Sequence, residues 1–498
     1  MKIRLLIYCL SSVLCLGLYA QEANGTDIPS MVDNSTSPYF PAVVDQHGSS
    51  CAQAACMHYL FTYEMNRKLN RRVADNPDDY TYSYRWTWNY VNGGEDEGSM
   101  YNPDAFNITS VAGALSVRDY GNENEYPFRW VTGYEKYYRA MHYKTVKATL
   151  VSVNTREGIE QVLRYLYDKQ DGLPGGGLAV YAFSDNWNST DYSGPSNAGL
   201  SEILTNSGSR GSHAMTIVGY DLAVEWDCDK NGVIEDDEKG AFIMVNSWGR
   251  YWGDDGKAYV PFSYYTRPKS QGGVYAYHNA EVLFYDTDFF EPKVTVKANI
   301  SYDSRNDLNI LFGVADGVQA KYPSKVMNYP IVKSQGGDYL MQGNLYDKTD
   351  DIEMGFDLSE LYAESRKMKA PCWFVTIQKV IVGGNGKGKV NTLTLYDYSG
   401  EKEKSYTVKF KDNEGTIRMG TNYYKIPTSD LFKNSQGQWY HPVKTTASEY
   451  LRNPVYYQDY NHKRTYGVQK ANGGYAKIMV TDYDPKTRKI KFKVNDYE

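Results

Sequence analysis

The chain has 498 residues, 41% hydrophobic and 23% charged, with 43 Gly and 18 Pro. At about 150 residues per domain this gives two to four domains with cores of their own, and it excludes the disordered and collagen-like classes. A net charge of -6 with no Lys/Arg-rich stripe excludes nucleic acid as a partner, because neutralising phosphates needs a basic excess. The 48 Tyr suit half-buried pleated surfaces and point to abundant β-structure.

The chain opens on a short cationic start, Met1-Lys2-Ile3-Arg4, followed by a mostly apolar run from Leu5 to Leu18 and then Tyr19-Ala20 before Gln21. Residues 1–20 read as a secretory signal peptide cleaved near Ala20, so the protein is expected to be exported: secreted, periplasmic or on the cell surface. The run is short of the roughly 20 apolar residues a bilayer needs, and no later segment is apolar enough, so no transmembrane segment is expected. Cleavage would remove Cys9 and Cys15 and leave Cys51, Cys56, Cys228 and Cys372. Those four are too scattered for a disulfide scaffold. Cys51 and Cys56 fall in one predicted helix, where a mutual disulfide is geometrically poor.

That helix spans Cys51 to Arg67, holds no Gly or Pro, begins with small residues and has Ser49 and Ser50 as cap candidates. A second helix is predicted over Glu157–Tyr167, where Ile159, Val162, Leu163 and Leu166 repeat at helical spacing after Thr155. It stops at the Gly172–Gly177 loop. Leu178–Phe183, His213–Val218 and Ala241–Val245 read as buried strands. Helices running into sheet give an α+β order for residues 21–290.

Near residue 290 the pattern changes to period two: Val294, Val296, Ala298, Ile300; then Ile352, Met354, Phe356, Leu358; then Tyr406, Val408, Phe410. Breaks such as Gly383–Gly388 separate the runs, which predicts a β-sandwich-like domain over 291–415. A β-rich segment, 416–498, follows. Its final run, Ile490, Phe492 and Val494, reads as the return strand of a hairpin turned at Asp484-Pro485.

Three pieces carry chemistry: Gln46-His47-Gly48-Ser49-Ser50-Cys51 opening a helix, His213 opening a strand, and Asn246-Ser247-Trp248-Gly249 closing the next strand. Acyl transfer by a thiol needs a thiolate, an imidazole to shuttle the proton, a group orienting that imidazole and donors for the tetrahedral oxyanion. Cys51 at a helix N-terminus has its ionisation favoured by the dipole and by a neighbouring imidazolium. His213 supplies the imidazole. Asn246 accepts from one ring nitrogen and stays neutral, and Gln46 donates its amide to the oxyanion beside the backbone N–H of Cys51. His58 stands about 10 Å beyond Cys51 at 1.5 Å per residue, which makes it a packing residue. Cys56, Cys228 and Cys372 are expected to be small buried hydrophobes.

At these residues the chain resembles the papain-like cysteine peptidases over residues 35–285, most specifically in His213-Ala-Met-Thr-Ile-Val-Gly-Tyr220 and Asn246-Ser-Trp-Gly-Arg-Tyr-Trp-Gly-Asp-Asp-Gly256. The resemblance implies a two-lobed fold, a helical lobe bearing Cys51 and a β lobe bearing His213. It also implies catalytic roles for Gln46, Cys51, His213 and Asn246, with Trp248 covering the Asn–His hydrogen bond and a protein or peptide as substrate. The chain departs from the family at Gln46–Ala52: the Gln-to-Cys gap is one residue short, the preceding Cys is absent, and Ala52 replaces a Trp. No catalytic atom is lost.

Between the His and Asn strands lies a second signal. Asp227, Asp229, Asn231, Gly232 and Glu238 match the twelve-residue calcium loop D-x-[DN]-x-[DN]-G-x5-E at every required position. Oxygen ligands would come from Asp227, Asp229, Asn231, the Val233 carbonyl, Glu235 through water and Glu238, giving a structural Ca2+ site that rigidifies the catalytic half. The expected function is an exported cysteine peptidase whose later β-rich region serves substrate capture, stability or contact with a cell surface or carbohydrate. A retired binding or adhesion protein on the same fold, and an acyltransferase using the same triad, are the alternatives.

Overall fold

A computed structural model describes residues 28–96, 103–121, 128–183, 187–205, 213–273, 281–317, 319–333, 336–343, 351–379 and 386–428, and three strands beyond them. The expected signal peptide 1–20 with Cys9 and Cys15, the start of the Gly383–Gly388 break and the turn residue Pro485 lie outside the described residues.

After β1 (Met31–Asp33) comes one helical run: α1 (Cys51–Gln53), a π-helical stretch (Ala54–Phe61) and α2 (Thr62–Leu69). From Cys51 to Arg67 every residue but the half-buried His58 is buried, so the run is enclosed by the surrounding protein rather than lying as an amphipathic surface helix. It ends where Asn70 takes a left-handed φ of 50°. Five more helices follow: α3 (Pro77–Tyr80), α4 (Tyr84–Val91), α5 (Pro103–Ala112), α6 (Val117–Tyr120) and α7 (Tyr134–Ala140).

The chain then alternates through β2 (Tyr143–Ser152), α8 (Arg156–Tyr167), β3 (Ala179–Phe183), β4 (Asn188–Asp191), β5 (Glu202–Thr205), β6 (His213–Glu225), β7 (Lys239–Val245), β8 (Lys257–Pro261), α9 (Phe262–Thr266) and β9 (Glu281–Phe289). In α8 the Thr155 hydroxyl accepts the Gly158 N–H at 3.2 Å, and Ile159, Val162, Leu163 and Leu166 form the buried stripe. The strands make one sheet in the order β2-β9-β3-β6-β7-β8-β5-β4, with β1 added against β6. The helical run packs on it: Thr216 on β6 donates to the Ala55 carbonyl at 3.1 Å, and Tyr285 on β9 donates to that of Cys56.

Beyond 290 come β10 (Val294–Tyr302), β11 (Leu308–Asp316), β12 (Lys325–Lys333), β13 (Asp351–Asp357), α10 (Ser359–Ser365), β14 (Pro371–Lys379), β15 (Gly388–Asp397), β16 (Lys404–Lys409) and β17 (Gly420–Pro427). They form two four-stranded sheets, ordered β13-β10-β15-β16 and β12-β11-β14-β17. Val294, Val296, Ala298 and Ile300 from one sheet share a single core with Ile310, Phe312, Val314 and Ile377 from the other. The same core takes in Trp86 and Tyr90 of α4, Ile108 of α5, Tyr137 of α7 and Met141. The second sheet runs past the boundary expected at 415, because β17 pairs along β14 from Gly420 opposite Lys379 to Pro427 opposite Cys372. Last come β18 (Thr465–Gln469), β19 (Tyr475–Asp484) and β20 (Lys489–Tyr497), with Asp484 opposite Lys489 as a hairpin requires. Among the described residues no helix is long and apolar enough to cross a membrane.

Candidate active site

His213 begins β6 and Asn246 follows the last residue of β7, and these strands are antiparallel neighbours with Thr216 opposite Val245. The pairing brings the two side chains to one end of the sheet. His213 Nε2 lies 2.7 Å from Asn246 Oδ1, and both residues are buried. A carbonyl oxygen can only accept, so Nε2 carries the proton in this bond and Nδ1 is the lone-pair nitrogen of the neutral ring. Asn246 Oδ1 also accepts the Ser247 N–H at 2.8 Å, which fixes the amide's orientation.

The segment leading to Cys51 is zipped to this end of the sheet. Val44 accepts the Gly249 N–H at 2.9 Å, Asp45 bridges to Trp248, and the Gln46 N–H donates to the Ser247 carbonyl at 2.7 Å. The Ser247 hydroxyl donates to Gln46 Oε1 at 2.5 Å, and Gln46 Nε2 donates to the Gly48 carbonyl at 2.8 Å. Gln46 is therefore tethered to the strand end that carries Asn246. Cys51, buried, starts α1, which packs against β6. Tyr59, on the same helical run, bridges the two segments by accepting the Val44 N–H and donating to the Asn246 carbonyl.

The Trp248 ring centre lies 4.6 Å from that of His213. Trp187, between β3 and β4, stacks on Trp248 at 5.4 Å and lies 5.6 Å from His213. No motif marks Trp187, and the sequence reading missed it. His58 is engaged elsewhere: its Nε2 lies 2.8 Å from the Ala42 carbonyl, and desolvation of the ring by the protein around it pushes its pKa down to about 4. Burial, and secondarily Cys51, push the Cys56 thiol far above its ordinary range, which disfavours its thiolate. Cys372 is buried and Cys228 half-buried; no disulfide joins the four described cysteines.

In the acidic loop, carboxylate oxygens of Asp227, Asp229 and Glu238 lie within 4.8 Å of one another. Asp227 accepts the N–H groups of Asn231 at 3.0 Å and Gly232 at 2.8 Å, which curls the loop around it. Gly232, at φ 85°, makes the turn. Asn231 Nδ2 donates to Glu235 at 2.8 Å, the first cause holding the Glu235 carboxyl down at about 2, while Asn231 Oδ1 accepts the Val233 N–H at 2.8 Å. Val233 is exposed. A cation from outside the motif also enters: Arg267 reaches Asp229 at 3.1 Å, Glu238 at 2.9 Å, Glu235 at 3.2 Å and Asp237 at 2.9 Å. The loop thus has the oxygen donors for a hard cation and a guanidinium sharing them.

No family model matches the sequence, and no curated protein matches it. Solved structures similar to this chain include the bromelain protease from Ananas comosus in complex with the E64 inhibitor, at 16% identity and a TM-score of 0.33, covering 52% of this chain and 99% of that one. Xylellain, a cysteine protease from Xylella fastidiosa, is similar at 16% identity and a TM-score of 0.34, over 52% of this chain and 87% of its own. Digestive procathepsin L2 proteinase from the Tenebrio molitor larval midgut is similar at 17% identity and 0.34, over 53% and 69%.

Proposed function

We propose that the protein is an exported papain-like cysteine peptidase that hydrolyses peptide bonds through a thioester on Cys51. The observation that carries the reading is the buried His213–Asn246 hydrogen bond, walled by Trp248, on a strand end zipped to the segment that leads into Cys51. With Nε2–H committed to Asn246, Nδ1 is the nitrogen that exchanges a proton with the Cys51 sulfur. The thiolate lone pair forms a bond to the substrate carbonyl carbon, and the π pair of the C=O bond moves onto oxygen. The Cys51 N–H and the Gln46 amide stabilise that oxyanion. Collapse expels the amine, which takes its proton from His213. Water, deprotonated by the same ring, then cleaves the thioester to release the acid and the thiol. In this reading the helical run and the sheet are the two lobes, and the paired sheets after 290 form a β-sandwich built onto them.

Incubation with an epoxide-type thiol inhibitor and mapping of the adduct tests the assignment. Alkylation at Cys51 with loss of hydrolysis is expected; labelling at Cys56, or no labelling, overturns it.

The donor set of the acidic loop supports a structural calcium site in which the ion would compete with Arg267 for the oxygens of Asp229 and Glu238. Calcium is expected to raise the melting temperature relative to chelator. Equal melting and equal activity in both would remove calcium from the reading.

A further inference from the structure

The segment just before Cys51 rests on a loop that is itself held by the β-rich unit. Ser49 donates its N–H to the Asp96 carbonyl at 2.9 Å, and His47 Nε2 lies 3.3 Å from the Asp96 carboxylate. Gly48, at φ 56°, sits so close that a Cβ there would stand 2.5 Å from the Asp96 oxygen. Only glycine allows that approach. Asp96 lies at the end of the turn after α4, where Asn92 Oδ1 accepts the Gly94 N–H at 2.9 Å. This turn meets the loop between β12 and β13 at the same van der Waals limit. A Cβ on Gly94 would stand 2.6 Å from the Tyr339 ring, and one on Gly337 would stand 2.5 Å from the Gly93 oxygen.

Tyr339 is in turn fixed from three sides. Its ring stacks on Phe128 at 5.0 Å, and the Arg305 guanidinium lies 5.7 Å from its centre. Its carbonyl accepts the Arg305 N–H at 2.9 Å. Arg305 is fully buried, packs over Trp130 at 4.4 Å and donates to the Gly336 carbonyl at 2.6 Å. Trp130 donates to the Asn89 carbonyl of α4 at 2.8 Å, which closes the circuit at the helix that carries the turn.

We propose that Tyr339, with Gly337 and Gly94, positions the oxyanion-binding segment Gln46–Cys51 through Asp96, so that the β-rich unit is a working part of the active site. This rests on the peptidase reading above. Its physical content is separate: a run of close contacts from Tyr339 to the Ser49 N–H. Closely packed contacts transmit displacement because they have no slack, and a shift of a donor by an ångström costs up to about 100-fold in rate.

The test uses the full-length protein and Tyr339→Ala, with two readouts: hydrogen exchange at the Ser49 amide relative to amides of β7, and kcat against KM on an unfolded protein substrate. Expected are faster exchange at Ser49 with unchanged exchange in β7, and kcat reduced between about 10-fold and about 100-fold at unchanged KM. Wild-type exchange at Ser49 overturns the proposal, and so does a general rise in exchange that includes β7. If the alanine variant does not fold, Tyr339→Leu carries the same comparison. A wild-type protein that hydrolyses nothing would sink the peptidase reading, while exchange at Ser49 would still decide for or against the positioning contact.

Discussion

Tyr59 and Asn246 are joined by a hydrogen bond of 2.8 Å in which the phenol donates to the backbone carbonyl. The Tyr59 phenol oxygen also accepts the Val44 N–H at 3.0 Å, and Phe40 stacks flat on the ring at 5.3 Å. One buried hydroxyl therefore ties the helical run to both segments that frame the candidate active site. Tyr59→Phe leaves the ring packing and removes both bonds, stranding a half-buried donor at Val44 and the Asn246 carbonyl. A loss of about 1 to 3 kcal/mol is expected, read as a lower denaturation midpoint at unchanged m-value.

Asn246→Ala removes the acceptor that orients His213 and also strands the Ser247 N–H. The ring can then turn away from the productive geometry, but thiol and imidazole both remain. The expected outcome is a folded enzyme with kcat lower by about 100-fold and residual activity above that of Cys51→Ala, measured on the same peptide substrate. Activity equal to wild type would remove Asn246 from the mechanism.

His58 gives the fold a pH dependence of known sign. Its ring binds a proton near 6.5 when unfolded, but burial, partly offset by the Ala42 carbonyl, holds the folded value down at about 4. Between these values the unfolded chain binds more protons. The contribution is therefore whole above pH 6.5 and is lost as the pH falls toward 4, with a slope approaching about 1.4 kcal/mol per unit. His58→Gln, which keeps a donor for Ala42, should flatten that part of a stability-versus-pH curve.

Arg267→Met leaves Glu238 fully buried beside Asp229 with no cation between them. A loss of about 3 kcal/mol in chelator is expected, since removing one member of a buried pair strands the other. If calcium takes the same oxygens, adding it should restore stability to the variant more than to the wild type. Chemical denaturation with and without calcium gives both numbers.

A chain ending at residue 290 would uncover Trp86, Tyr90, Tyr137 and Met141, all nearly or fully buried. At about 1.5 kcal/mol or more for each large apolar side chain exposed, the sum rivals the whole stability of a domain. Such a chain should bind a hydrophobic dye and lack a cooperative unfolding transition.

These dependencies mark what local sequence carries and what it does not. The stripe of α8 was readable because one face is buried and the other wet, and β10 because its inward residues alternate. His213 and Asn246 stood out because their neighbours follow a family's order. Helix α4 was unreadable: its residues from Tyr84 to Val91 are buried on every side, against strands far along the chain, so no wet face leaves a periodic mark. Tyr423 and Tyr424, adjacent and both buried, hide the alternation of β17 in the same way. Arg267 could not be foreseen from the acidic spacing, because a motif records ligands and not a competing counter-charge from another helix end. Trp187, well before His213 in the sequence, meets it only through tertiary contact.

The cysteines bear on how the protein can be handled. All four described cysteines are free thiols, and no disulfide crosslinks the described residues. In the peptidase reading proposed above, a reductant that returns a sulfenic acid or mixed disulfide on Cys51 to the thiol would cut no bond of the described scaffold, so activity lost to such oxidation is expected to return without refolding the chain.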